Sequence, residues 1–539
     1  MPTRTPRATL PMLESPPPVA AEPRAAPRPD SALEEYGTET AVLPRFHVWT
    51  LGCQMNQSDS EEMAGSLLAA GCEEASSLEE AELIVINTCS IREAAENKVI
   101  GRMGSIGNLK AGNPALRVVL TGCSVRADNV ETLPGRYPAV DLFLRPDEEP
   151  ELTARLGLGG PTTPEALGAA GFERVGRSIA ATADRLPGTR ASAVEEGAIA
   201  RGGGAKAWVP IVYGCDKTCT YCIVPFARGP ERSRPFDEVV AEVRTLADAG
   251  YRELTLLGQN VNSYGHDLPA DPRFAELESQ RTLGRKQDRA GRPDIAALLR
   301  AVDDIRDADG RPGIPRVRFV TSHPWDLTDR LIEAMAECES VCEHLHLPVQ
   351  SGDDEVLRRM GRQYTVEAYL ELVERLRAAV PGIALTTDVI TGFCGEAEEQ
   401  FESTLKLLRT VRFEQVFAAA YSERPGTPAT KLPDDIPTDE KKRRLNELLS
   451  TQEAIGRERN EAWVGRRTEV LVDEARQPRM HDHEGPEAAG PRLVGRNREH
   501  KLVHFDGPQE LVGALVHVEI DRAGAYALSG RRMEEADHA

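Results

Sequence analysis

No stretch of this 539-residue chain approaches the ~18 consecutive apolar residues of a transmembrane helix, which excludes a helical membrane span as an expectation. The first residues also lack the apolar centre of a signal peptide. Cysteine is scarce, ten in 539, far too sparse for a secreted disulfide framework. Together these absences predict a cytoplasmic protein with no membrane partner. Basic charge is in deficit as well: 65 Lys and Arg against 86 Asp and Glu leave a net charge of −21. A polyanion partner would therefore have to be met locally. Two basic runs offer that, Arg228-Gly-Pro-Glu-Arg232-Ser-Arg234 and Lys441-Lys442-Arg443-Arg444. No internal repeat appears, which argues against a solenoid.

What is present is a pattern within the few cysteines. Six of the ten fall into two sets of three, and neither set contains a fourth ligand. Cys215, Cys219 and Cys222 are compact, with spacing C-x3-C-x2-C. Cys53, Cys89 and Cys123 are spread over seventy residues. A structural zinc site fills all four of its tetrahedral positions. Three thiolates suit instead a four-iron cluster with one iron left open to another ligand. Two such sets point to redox or radical chemistry.

Placement along the chain supports this reading. Residues 1–43 are rich in Pro, Ala and isolated Arg without apolar period, and are expected to be disordered. Over 44–160, strand-like runs at His47–Leu51, Leu83–Asn87 and Arg117–Thr121 are separated by helical stretches, which implies a parallel α/β sheet. The spread cysteines each follow one of these strands, at the carboxyl rim where ligands collect in open parallel sheets. Residues 161–200 look like a Gly- and Ala-rich linker or insertion. Over 201–437, six strand-like runs (209–213, 253–257, 317–320, 344–347, 384–388 and 415–419) alternate with helical ones. Six βα units predict a partial barrel of the TIM type, and the compact triplet ends the first strand, where such barrels carry their chemistry. A charged helix at 438–463 leads to short β runs over 464–535, read as a separate small β-barrel of the oligonucleotide-binding kind.

The compact triplet, with Tyr221 before its last cysteine, resembles the radical S-adenosylmethionine signature. The motifs Thr50-Leu-Gly-Cys-Gln-Met-Asn-Gln-Ser-Asp59, Asn87-Thr-Cys-Ser-Ile-Arg92, Thr121-Gly-Cys123, Leu257-Gly-Gln-Asn-Val-Asn262, Thr321-Ser-His-Pro324 and His346-Leu-Pro-Val-Gln-Ser-Gly352 resemble those of the tRNA methylthiotransferases. The resemblance runs from about 44 to 535. It is strongest to the branch acting on N(6)-isopentenyladenosine, ahead of relatives that act on threonylcarbamoyl-adenosine or on a ribosomal-protein aspartate.

The resemblance implies two 4Fe-4S clusters, one on Cys215, Cys219 and Cys222 and one on Cys53, Cys89 and Cys123. The first would bind and reductively cleave S-adenosyl-L-methionine to a radical that takes hydrogen from carbon 2 of the base at tRNA position 37; the second would hold the sulfur. It also implies an RNA-binding TRAM domain at 464–535, a flavodoxin- or ferredoxin-type electron donor, and iron–sulfur or sulfur-supply proteins as partners. A monomer is expected. A non-catalytic iron–sulfur RNA sensor is the competing class, separated by an assay for 5′-deoxyadenosine. Barrel geometry nominates Gln259 and Asn260 after the second strand, Gln350 after the fourth and Asp388 near the end of the fifth as cofactor contacts.

The remaining cysteines read as packing. Cys394 replaces the usual proline in Gly392-Phe-Cys-Gly-Glu396 and is taken as a tolerated loop substitution. Cys72 reads as a packed thiol, and Cys338 and Cys342 as buried. The insertions at 161–200, 265–292 and 474–492 receive no function, and His323, His344 and His346 no role.

Overall fold

A computed structural model describes residues 43–89, 93–158, 205–278, 290–476 and 491–533. The expected disordered tail, the linker 161–200 and parts of the other two insertions lie outside the described residues.

The N-terminal unit is a parallel sheet of five strands: β1 (Arg45–Thr50), β2 (Glu73–Glu74), β3 (Leu83–Thr88), β4 (Arg117–Gly122) and β5 (Leu142–Phe143), in the order β2-β1-β3-β4-β5. Its central strand β3, Leu-Ile-Val-Ile-Asn-Thr, is buried at every position. That is the continuous apolar run expected of a strand covered on both faces. Helices Gln54–Ala69 and Glu93–Gly112 make the crossovers.

The central unit opens with β6 (Lys206–Pro210). The sequence suggested one strand over 209–213, but the chain breaks at Ile211 and continues as β7 (Val212–Tyr213), which pairs antiparallel with β8 (Arg232–Ser233). The break lifts the cysteine loop above the sheet. Then follow β9 (Glu253–Leu257), β10 (Arg316–Phe319), β11 (His344–His346), β12 (Ala384–Thr391) and β13 (Gln415–Ala420). They form two parallel three-stranded sheets, β6-β9-β10 and β11-β12-β13, joined by a Val317–Val341 bridge. This is the expected six-unit partial barrel, and β6 and β13 remain its edges. Three of the helices between strands start at a side-chain cap: Asp294 accepts from Ala297 N at 2.8 Å, Thr328 from Leu331 N and Thr365 from Ala368 N, both at 3.2 Å. Their apolar faces, such as Val239, Val243 and Leu246, pack on Val209, Leu254, Leu256 and Val317.

After helix Thr438–Glu461, five strands close a small barrel: β14 (Arg467–Arg476), β15 (Arg492–Arg496), β16 (Leu502–Asp506), β17 (Leu515–Ala523) and β18 (Ala527–Arg532). β15 and β18 escaped the sequence reading because both are short, glycine-bearing and arginine-rich rather than apolar-alternating.

The expectation that this barrel stands apart is corrected. Its β15–β16 turn plugs the amino-terminal end of the partial barrel. Arg316, fully buried at the start of β10, donates to Arg496 O at 2.7 Å and to Glu469 O and Oε1 at 2.9 Å. Arg318 donates to Asn497 O at 2.7 Å, Arg498 O at 2.8 Å and Glu253 Oε2 at 2.9 Å. Arg498 reaches Glu343 at 2.8 Å, Lys501 pairs with Glu414, and Lys206 pairs with Asp473 at 2.6 Å. Each of these arginine-to-carbonyl bonds satisfies groups that neither barrel alone could cover.

Replacing Arg316 by Ala leaves buried carbonyls unmatched and should cost on the order of 3 kcal/mol in denaturant unfolding of the metal-free chain. Deleting 464–539 should lower the thermal midpoint rather than release an intact core; an unchanged midpoint would restore the view of separate domains.

Candidate functional site

Three loops at the carboxyl rim of the N-terminal sheet bring Cys53, Cys89 and Cys123 together. Cys53 caps helix Gln54–Ala69, Cys89 follows β3 and Cys123 follows β4. Glycines let the loops close. A Cβ on Gly52 would lie 2.8 Å from that of Cys89, and one on Gly122, at φ +88°, would lie 2.2 Å from Thr88 O. Beneath them an amide lattice fixes the loops: Asn56 Nδ2 donates to Asn87 Oδ1 at 2.7 Å, and Asn87 Nδ2 donates to Asn56 O at 2.8 Å and Ser60 Oγ at 3.0 Å. Cys53 Sγ donates to Asn56 Oδ1 at 3.2 Å. Burial pushes the Cys123 thiol up to about 11, opposed by Arg228 and reinforced by Cys89 and Cys53.

The second triplet follows β7. Its loop is pinned by Cys215 N to Gly229 O at 3.2 Å, Gly214 N to Gln259 Oε1 at 2.6 Å, Thr220 N to Met360 O at 2.9 Å and Thr220 Oγ1 to Arg359 O at 2.8 Å. Burial pushes Cys222 up to about 12, with Cys219 and Cys123 acting in the same direction. Burial and Glu231 raise Cys215 too. Arg228, at the end of the helix just after Cys222, donates to Cys123 Sγ at 3.3 Å, so the two triplets line one space across the domain boundary.

That space has a cationic wall. Arg362 is 6% exposed, donates to Pro348 O at 3.1 Å, and has no partner for its Nε. Burial alone would lower its pKa, but Tyr221, Tyr364, Cys219 and Cys222 overcome that and hold it above the ordinary value. A buried guanidinium with a free donor beside thiols fits an anionic thiolate-bound cluster or a ligand carboxylate. Uncovered thiols with raised pKa values fit the same conclusion, since metal binding displaces their protons.

The nominated cofactor contacts lie at this end of the barrel. Gln259 has its side-chain oxygen engaged by Gly214 N, so it shapes the cysteine loop. Asn260 is buried; its Nδ2 donates to Glu231 Oε1 at 3.1 Å and Asp326 Oδ2 at 2.7 Å, while its Oδ1 has no partner. Gln350 is buried at φ +72° and, with Thr321 at φ +67°, holds a left-handed conformation uncommon outside glycine. Asp388 Oδ2 sits 3.4 Å from His346 Nε2. Tyr221 packs edge-on to Phe393 at 6.4 Å.

The reading of the two basic runs changes. In the second basic run, Lys441 pairs with Asp434 at 2.6 Å, Arg443 with Glu398 at 2.6 Å, and Arg444 is buried on Glu396 at 3.0 Å. In the first, Arg234 pairs with Glu242 at 2.7 Å and Arg228 is buried. Only Arg232 and Lys442 keep exposed, unbridged positions in these runs among the described residues, so the runs are chiefly structural. Cys394 packs with Val356, Met360, Phe393 and Tyr421, and Cys72, Cys338 and Cys342 are buried, as expected. Sequence reasoning missed Asn56 and Asn87 as loop anchors, although both lie in quoted motifs, and missed Arg362, which carried no signal.

Residues 209–408 match the Radical SAM superfamily, and residues 45–145 match the Uncharacterized protein family UPF0004. A tRNA-2-methylthio-N(6)-dimethylallyladenosine synthase of Carboxydothermus hydrogenoformans is 42% identical over 487 residues, covering 90% of this chain and 98% of that protein. The chain belongs to the tRNA-2-methylthio-N(6)-dimethylallyladenosine synthase family. The synthase of Geobacillus kaustophilus is 41% identical over 494 residues, 91% of this chain and 83% of that one. Among solved structures, a radical S-adenosylmethionine methyltransferase of Kitasatospora setae with cobalamin and a 4Fe-4S cluster aligns at TM-score 0.47 and 15% identity over 82% of this chain and 81% of that one. Synthases of this family are radical SAM methylthiotransferases, and membership brings an iron–sulfur cluster, S-adenosylmethionine and a tRNA substrate. No helix among the described residues is long and apolar enough to cross a membrane.

Gly122→Ala should prevent the spread triplet from closing, because its Cβ would sit 2.2 Å from Thr88 O. The variant is expected to lose the iron bound by that triplet and keep the rest, read by iron analysis after anaerobic reconstitution.

Proposed function

We propose that this chain adds a methylthio group to carbon 2 of N(6)-isopentenyladenosine at position 37 of tRNA, using two clusters held by the two cysteine triplets. The observation that carries the reading is a contact across the domain boundary: Arg228, close after Cys222 in the chain, donates to Cys123 Sγ at 3.3 Å. The C–H bond to be replaced is unactivated, so no side chain can take its hydrogen and a radical cofactor has to supply that chemistry. S-adenosylmethionine at one cluster would supply the abstraction of that hydrogen, the other cluster would supply the sulfur, and a second S-adenosylmethionine would supply the methyl group.

The chain's own residues then bind, orient and shield. Cys215, Cys219 and Cys222 hold one cluster and leave a coordination position for S-adenosylmethionine; Cys53, Cys89 and Cys123 hold the other. Arg362 is placed to take the methionyl carboxylate through its free Nε, and Asn260 to accept from the amino group through its free Oδ1. Gln350 and Asp388, with His346, form the floor. The C-terminal TRAM-like barrel grips RNA, and the target base is accessible because the anticodon loop is single-stranded. The protein is read as cytoplasmic, supplied by a flavodoxin- or ferredoxin-type donor.

The full chain should hold about eight irons. Changing Cys215, Cys219 and Cys222 together to Ala should halve the iron and abolish 5′-deoxyadenosine formation. The same change at Cys53, Cys89 and Cys123 should halve the iron and leave that formation detectable. Full iron in either variant would refute the assignment. Arg362→Gln should weaken S-adenosylmethionine binding about tenfold or more, the value of one charge-assisted hydrogen bond, in equilibrium binding to the reconstituted protein.

A further inference from the structure

One buried guanidinium between the triplets has so far no task in the reaction. Arg228 ends the short helix Val224–Arg228 that follows Cys222 directly, so it is tied to the loop of the compact triplet. Its side chain crosses the domain boundary. Nε donates to Cys123 Sγ at 3.3 Å, and a terminal nitrogen donates to Asp59 Oδ2 at 2.5 Å. The side chains of Arg228 and Asp59 are 5% and 4% exposed. Asp59 lies on helix Gln54–Ala69, which starts immediately after Cys53. Burial alone would favour neutral arginine, but Asp59 and Cys123 hold it charged.

Reducing an iron–sulfur cluster adds negative charge that spreads onto its sulfurs. A hydrogen-bond donor on a ligand sulfur stabilises the reduced form, more so where water is excluded. The guanidinium is suited to this task because its planar fork holds fixed donors toward a carboxylate and a sulfur at once, whereas an ammonium offers its donors from a single nitrogen on a flexible stem. Asp59 offsets the charge of Arg228 but donates nothing to the sulfur; the N–H contact with Cys123 comes from Arg228.

We propose that Arg228 is a positioning residue that raises the reduction potential of the cluster on Cys53, Cys89 and Cys123 by donating to the Cys123 sulfur. The inference rests on the two-cluster reading above. It makes the compact triplet's own loop an element that adjusts the electron affinity of the other cluster.

The test uses the full-length chain with Cys215, Cys219 and Cys222 changed to Ala, which isolates the spread triplet at about four irons. Two changes are added separately. Arg228→Lys keeps the charge and loses the fork. Arg228→Met with Asp59→Asn removes both charges, so no buried carboxylate is left unpaired and the fold is protected. The midpoint potential is read by a redox titration followed by electron paramagnetic resonance. The expected result is a lower potential in both proteins with iron unchanged. An unchanged potential in both overturns the proposal. Loss of the iron from both proteins also overturns it, making Arg228 a clamp on the triplet rather than an adjuster of potential. Absence of iron in the starting protein would overturn the two-cluster reading itself, a failure visible before any potential is measured.

Discussion

Everything in this protein is arranged around a desolvation problem: the buried thiols Cys89, Cys123 and Cys215 and several ionised groups have to be kept near one another away from water. Thiols in such a place stay protonated, as the upward pull on Cys123, Cys215 and Cys222 records. Only a strongly electropositive guest makes their thiolates tolerable. The surrounding cations are placed with the same economy. Arg228 and Arg362 are buried near the triplets, and each is held charged by sulfur or oxygen nearby.

Two parallel sheets make this possible. A parallel strand delivers its successor loop to the carboxyl rim, so a cysteine placed just after a strand is aimed before any packing is considered. The spread triplet uses the device directly; the compact one follows the short β7 hairpin strand just past parallel β6, and the Arg228 contact with Cys123 brings the two to one boundary. The boundary itself is polar: besides Arg228 and Asp59, Tyr213 donates to Glu62 at 3.3 Å, and burial raises the Glu62 pKa to about 7. Protonated Glu62 is therefore the form the fold prefers, and stability from this group is complete in acid and fades as pH rises through about 7.

Much of this was legible in the sequence, for physical reasons that differ by element. Buried parallel strands announce themselves as apolar runs, so β3 and β9 were found almost to the residue, while β12 runs three residues beyond its expected end. Cysteines after strands gave the ligand sets. What the sequence could not show was partnership across distance. The run Lys441–Arg444 looks like a phosphate patch until Glu396 and Glu398, more than forty residues away, arrive to neutralise it. Arg316 and Arg318 looked like ordinary strand residues, yet they bind backbone carbonyls about 180 positions later. Charge is visible in a sequence; its compensation is a property of the fold.

The plug formed by the β15–β16 turn gives the molecule a ruler. It closes the amino ends of the strands, while the cysteines stand at the carboxyl ends, so the two are separated by at least the length of a strand. For β12, Ala384–Thr391, that is about 25 Å at ~3.3 Å per residue. The C-terminal barrel therefore docks at the pole of the central barrel opposite the cysteine rim. A macromolecule bound to it would have to span that distance before any part of it met the cysteines.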